Sequence, residues 1–298
     1  MIEFTKLGAV HEEDPQGFKL GQIQVPVAGI PDQYLCNDDG PLVTDLPILM
    51  QGQSPECGGF SLATLINFFK KAGASLSGSF TYAFEKTVDG LPTIQGTLIS
   101  AVGKAGAQAG SCLDTLFPDD GAGNTFVENP IFSTASPEAV ADGKTRLMGT
   151  PFLLDDLSIA GIQQALYQNG AVILEVQVGK EWWTAANGAT SWNAEDILPI
   201  RPPATVIDSH FICVIPYDQK NDRLWFANTW STEWGKNGWG YLQSNYAPFI
   251  KAGIAFKNIP PSVFKALTMG QIEIAQQILS DFSAVLKDIA AEAKVATQ

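Results

Sequence analysis

The run Gln51-Gly52-Gln53-Ser54-Pro55-Glu56-Cys57-Gly58-Gly59-Phe60 puts a cysteine at the head of a helix-like segment, with a carboxamide six residues before it. The chain has two histidines. One of them, His210, opens a strand-like run far downstream, and Asn228 closes the next such run. A thiol nucleophile needs a base, the base needs an orienting acceptor, and a carboxamide can donate to a developing oxyanion. For these groups to act together, the fold must bring a helix N-terminus against strands encoded much later in the chain.

The patterning supplies such elements. Cys57 to Lys71 reads as a helix, with Phe60, Leu65 and Phe68 on one face and Gly73 able to terminate it. Thr97 is the expected cap of a second helix that buries Leu98, Ala101, Val102 and Ala105. Ser158 is the expected cap of a third, with Ile159, Ile162 and Leu166 inward and Gly170 at its end. After Gly170 the texture changes. Ala171 to Val178, His210 to Tyr217, Leu224 to Asn228 and a run from Trp239 read as strands, with a turn over Gln219 to Asp222. The chain is thus mainly helical before about residue 170 and mainly β up to about 257, an α+β class with two lobes. Residues 1–45 read as an arm with turns, including a β-like run over Gly21 to Val27; 46–157 form the helical lobe and 158–257 the β lobe.

Residues 258–298 differ again. Beyond Pro260-Pro261, Ile272, Ala275, Leu279, Phe282, Leu286, Ile289 and Ala293 follow 3-4 spacing, a narrow apolar seam on a C-terminal helix. Such a seam either folds back on its own body or joins a partner, in a homo-oligomer or assembly through residues 270–294. A net charge of −13 and no basic run exclude nucleic acid as an expected partner. No run approaches the ~20 apolar residues of a membrane span, and Met1 to Val10 lacks a signal-peptide pattern. The expected location is cytoplasmic or particle-associated, with no membrane contact. The four cysteines, Cys36, Cys57, Cys112 and Cys213, are too widely spaced for a disulfide framework or a zinc site. We expect no metal and no cofactor.

Each candidate residue also has a plainer reading. Cys57 alone could be a small buried hydrophobe. At a helix N-terminus, however, the unpaired N–H groups favour a thiolate, and Gly58 and Gly59 keep the first turn clear of side chains at some cost in helix propensity. A thiolate paired with His210 has a pKa well below ~8.5. His210 could be a satisfied core histidine, but the other histidine, His11, lies in the N-terminal arm. Asn228 could close a strand, and Gln51 could be a surface amide. As functional groups, Asn228 would hold the imidazole and Gln51 would donate to an oxyanion.

Gln51 to Phe60 resembles the nucleophile motif of the papain-like cysteine peptidases. Ser209-His210-Phe211 followed by Val214-Ile215 resembles the family's histidine strand. Asn228-Thr229-Trp230-Ser231 through Trp234-Gly235 to Gly238-Trp239-Gly240-Tyr241 is similar to its Asn-Ser-Trp-Gly block. The resemblance spans roughly residues 45 to 257. It implies a two-lobe fold, a helical lobe beside an antiparallel β-barrel-like lobe, with the active site in the cleft between them. By the same resemblance Cys57 is the nucleophile, His210 the general base and acid, Asn228 its orienter and Gln51 the oxyanion donor. Gly58, Gly96, Thr97 and Ser209 would line or support the cleft, and Trp230 would shield the His–Asn bond. The expected substrate is a peptide or protein. Gly58 stands where papain has Trp, Ser231 where the block usually has Gly, and Ser54 where a disulfide cysteine is usual; Asn187 to Pro203 reads as an insertion. Two other readings stay open. One is a catalytically silent module of a particle such as a virion, anchored by the C-terminal helix. The other is a different thiol acyl-transferase, transglutaminase- or amidase-like.

Overall fold

The computed structural model describes residues 8–12, 30–43, 45–119, 131–182 and 200–257. The β-like run at Gly21 to Val27, most of the Asn187–Pro203 insertion and the whole heptad-patterned segment 258–298 lie outside the described residues. Three two-residue strands come first: β1 (Gln33–Tyr34), β2 (Cys36–Asn37) and β3 (Gly40–Pro41). The helices α1 (Cys57–Lys70), α2 (Gly78–Val88), α3 (Ile99–Gln108) and α4 (Pro137–Lys144) follow, then strand β4 (Thr150–Leu153) and helix α5 (Ile159–Asn169). Strands β5 (Val172–Val178), β6 (Asp208–Asp218), β7 (Arg223–Ala227), β8 (Trp239–Leu242) and β9 (Ile250–Lys257) complete the order.

Helix α1 is central rather than amphipathic: every residue from Cys57 to Asn67 is buried. It ends at Lys71, which takes the left-handed conformation (φ 47°) and caps onto the Asn67 carbonyl, so Gly73 is not the terminator. Helix α5 is as the sequence reads it, with the Ser158 hydroxyl accepting from the Gly161 N–H and Gly170 at the C-cap. Thr97 is not a cap. Leu98 holds the N-cap position of α3 with no side-chain bond, and the buried Thr97 hydroxyl has no hydrogen-bond partner among the described residues.

Seven of the nine strands form one sheet, ordered β4-β9-β5-β6-β7-β8 with β1 on β6, and β2 pairs with β3 apart from it. All the pairings are antiparallel. The sheet does not close; among the described residues β4 and β8 are its two edges, so the expected barrel-like lobe is an open sheet. Side chains alternate across it. Phe211, Cys213 and Ile215 of β6 join the core around α1, while Ile212 and Val214 join the core that includes Ile162 and Leu166 of α5. A helical layer thus sits on one face of a sheet whose long strand β6 carries His210. Among the described residues no helix is long and apolar enough to cross a membrane.

Candidate active site

The fold brings the predicted residues together. The Cys57 sulfur, on the first residue of α1, accepts from the Phe211 N–H at 3.4 Å, so it lies beside the residue that follows His210. His210 Nε2 is 2.9 Å from Asn228 Oδ1, and the Thr229 N–H donates to that same oxygen at 2.9 Å. The second contact fixes the amide: an NH₂ group there would face a backbone donor. Oδ1 is therefore an acceptor toward the imidazole, and Nε2 carries its proton. The Trp230 ring lies over the imidazole at 5.0 Å between centroids, and Trp182 meets it edge-on at 5.8 Å. The Asn228 amide is 1% exposed, so the His–Asn bond is shielded from water by these rings.

Gln51 is tied into the same site. Its N–H donates to the Thr229 carbonyl at 2.9 Å, its Oε1 accepts from the Thr229 hydroxyl, and its Nε2 donates to the Ser54 carbonyl at 2.8 Å. Thr229 is thus the link between carboxamide and orienter. Its place beside Asn228 in the block is the only sequence signal for it. Ser231, in the position usually held by glycine, keeps a left-handed backbone (φ 72°).

The glycines after Cys57 also have a packing reason. A Cβ at Gly59 would fall 2.3 Å from the Gly78 carbonyl oxygen, and one at Gly58 would fall 2.6 Å from Thr97 Cγ2 and 2.8 Å from a Glu85 oxygen. They let α2 and the Thr97 loop close onto α1, and no large side chain fits at Gly58.

The expected open cleft is filled. Gly8 to Val10 run alongside Thr97: the Thr97 N–H donates to the Gly8 carbonyl and the Val10 N–H to the Thr97 carbonyl, each at 2.8 Å. On the other side the Ala9 N–H donates to the Ser209 carbonyl at 3.3 Å. Gly8 (φ 94°) presses on the Pro55 carbonyl, where a Cβ would fall at 1.9 Å from the oxygen. Two residues beyond Ala9, His11 Nδ1 lies 3.2 Å from Glu175 Oε1. Gly96 and Thr97, read as cleft residues, thus hold part of the chain itself. Tyr82 and Lys86 fix them in turn, through bonds of 2.9 Å (Gly96 N–H to the phenol oxygen) and 2.8 Å (ammonium to the Gly96 carbonyl).

The candidate site is closed to solvent. Cys57, His210 and Gln51 are each 0% exposed. Burial pushes the Cys57 thiol well above its ordinary range. The Phe211 N–H pulls it down, and the Asp208 and Glu85 carboxyls push it further up. The low pKa expected from sequence is therefore not the property of this covered arrangement, in which the sulfur is a neutral thiol. All four cysteines are free. No group of ligand residues suited to a metal ion occurs among the described residues.

No protein-family model matches the chain, and no curated protein sequence matches it. Solved structures do. Xylellain, a cysteine protease from Xylella fastidiosa, aligns with TM-score 0.62 and 17% identity over 78% of this chain and 88% of its own. Procathepsin B S9 from Trypanosoma congolense aligns with TM-score 0.56 and 13% identity over 85% of this chain and 87% of its own. The Carica candamarcensis cysteine protease CMS1MS2, solved in complex with E-64, aligns with TM-score 0.52 and 15% identity over 76% and 98%. The chain has the papain-like cysteine peptidase fold.

Proposed function

We propose that the chain is a cysteine peptidase held in a covered state by its own residues 8–12. The observation that carries this reading is the Asn228 amide. With its orientation set by Thr229, it keeps the Nε2 proton of His210 and leaves Nδ1 as the basic nitrogen, on the residue next to the one that contacts the thiol. Once the cover leaves, Cys57 passes its proton to His210 Nδ1 and the thiolate attacks a peptide carbonyl carbon. The oxyanion is held by the second Nε2 hydrogen of Gln51 and the Cys57 N–H; one such donor is typically worth about 3 kcal/mol of barrier. The tetrahedral species collapses as His210 protonates the leaving amine. Water then gives a proton to His210 and its oxygen to the thioester carbon, which releases the acid and restores the thiol.

One observation favours the silent-module reading instead: the enclosure of Cys57, whose burial pushes its thiol pKa up. Labelling with a peptidyl epoxide, read by intact mass and peptide mapping, separates the two. The peptidase reading expects a single adduct at Cys57, faster when His11→Ala loosens the cover and lost in His210→Ala. Cys57 reacting no faster than Cys36 or Cys112 in every form would leave the module reading in its place.

A further inference from the structure

Glu175 is an odd residue for its position. It sits mid-strand in β5, opposite Phe211 of β6 and Ala252 of β9, in a run of apolar residues broken otherwise only by the half-buried Gln177. Its side chain is fully buried, and an incompletely paired buried carboxylate is costly. Its neighbours do not complete it. Oε1 takes the His11 contact, while Oε2 has no hydrogen-bond partner among the described residues. The Ser209 hydroxyl and the Lys251 ammonium lie close enough to favour the ionised form, against a burial effect that raises the pKa. Such a group is explained if its partner is meant to come and go.

The contacts of residues 8–12 say what comes. Among the described residues, the hydrogen bonds of Gly8 to Val10 are backbone N–H and C=O bonds, to Thr97 and to Ser209, and the small Ala9 side chain packs into the core. Any extended peptide offers the same groups, so these bonds do not discriminate sequence. The discriminating contact is the one side chain that reaches an acid, His11 on Glu175. Phe211, paired across the strands with Glu175, is also the residue that donates to the Cys57 sulfur, so this acid stands one strand from the nucleophile. The imidazole is 47% exposed while the carboxylate beneath it is closed off, so displacing His11 opens the carboxylate to the surface.

From this we infer that Glu175 is the specificity-determining residue of a subsite for a cationic side chain, with His11 as its built-in occupant. The inference rests on the peptidase reading and names its substrate class: peptides with arginine or lysine close to the scissile bond. Arginine suits the site better than histidine. An imidazole offers one N–H to the carboxylate, while a guanidinium fork offers two parallel N–H groups and would use the vacant Oε2 as well.

The test compares two peptidyl epoxides on the full chain, identical except for arginine against citrulline, which keeps the shape and removes the charge. Cys57 adducts are followed by mass for wild type, His11→Ala and Glu175→Gln, with an epoxide lacking that side chain as the measure of basal thiol reactivity. The expected result is labelling at least about tenfold faster with arginine in wild type and His11→Ala, one decade of preference corresponding to a single charged contact. That ratio should collapse to near one in Glu175→Gln. Equal rates for the two probes in wild type and His11→Ala, with Cys57 still labelled rapidly, would overturn this inference and leave the peptidase reading standing. Absence of Cys57 labelling by all three probes in every form would remove both. If Glu175→Gln does not fold, the arginine-to-citrulline ratio in His11→Ala and its decline with added salt decide the matter alone.

Discussion

Gly8→Ala is the sharpest perturbation of the covered state. At φ 94° an L side chain is strained, by about 1–2 kcal/mol on the scale of left-handed backbone. The new Cβ would also fall 1.9 Å from the Pro55 carbonyl oxygen, a backbone atom that cannot swing aside. The covering segment has three backbone hydrogen bonds to lose, at about 1 kcal/mol each, roughly 3 kcal/mol before the His11–Glu175 contact is counted. At about 1.4 kcal/mol per decade, strain alone raises the open fraction about tenfold and full loss of the bonds about 100-fold. Cys57 is the reporter, because it is fully buried and burial pushes its thiol pKa up. Its alkylation by a small thiol reagent should accelerate by that factor. Cys213 is the internal control, since it is buried within the long strand β6 in the core around α1. An unchanged Cys57 rate would refute the idea that this segment gates the thiol. A rise shared equally by Cys213 would show general destabilisation instead.

Three further outcomes are expected. Asn228→Ala removes the acceptor for both His210 Nε2 and the Thr229 N–H. A charge-assisted bond of about 1.5–3 kcal/mol converts to a tenfold to hundredfold fall in kcat/KM, with a displaced pH profile, measured by peptide hydrolysis in the Gly8→Ala background. Gly59→Ala drives a methyl group into the Gly78 and Tyr82 backbone; the helix-propensity gain of about 1 kcal/mol is smaller than an overpacking cost of about 1–3 kcal/mol, so thermal melting should fall by several degrees. Two buried acids set a pH dependence. Glu85 is held well above the carboxylate range by burial, then by Asp89 and Glu56, and Asp119 is pushed up to about 7 mainly by burial. Raised folded values mean that their contribution is fully present below about pH 4 and is lost as pH rises through those values. Urea unfolding should therefore show stability declining from pH 4 upward, through about 7 for Asp119, with a flatter curve in Glu85→Gln; a Glu85→Gln curve that superimposes on wild type would contradict the assignment.

The residues of the site were legible in the sequence because their chemistry is rare. A cysteine before a helix, one histidine on a strand and an Asn-Thr-Trp block have few other joint explanations, and the structure brings all of them together with Gln51. Helix α5 was legible because cap, periodicity and terminal glycine agree. What was not legible rests on long-range backbone pairing. Thr97 reads as a cap because its hydroxyl precedes an apolar helical run. Its N–H and C=O are in fact spent on Gly8 and Val10, and α3 starts one residue later than that cap requires. Helix α2 carries its own cap, Ser77 accepting from the Phe80 N–H, but its Gly78 weakens the helical pattern; that glycine is there because Phe60 packs against it. Glu175 hides inside a mainly apolar strand, where it and Gln177 do not alter the strand pattern.

On the proposed peptidase reading, the covering segment and a substrate strand would compete for the same atoms. The Thr97 N–H and C=O and the Ser209 C=O are each engaged by residues 8–10, and each can serve one partner strand at a time. Substrate affinity would then be reduced by the fraction of molecules in which the segment has left, Kd,app being the intrinsic value divided by that fraction. Anything that weakens the segment, from Gly8→Ala to loss of the His11–Glu175 contact, lowers the apparent KM for every peptide by a common factor. A change confined to recognition of one side chain alters the ranking of peptides and leaves that common factor untouched. His11→Ala and Glu175→Gln differ in this respect. Both release the cover, but Glu175→Gln also abolishes the preference for cationic peptides, so the two substitutions should separate gating from selectivity in a single set of rate measurements.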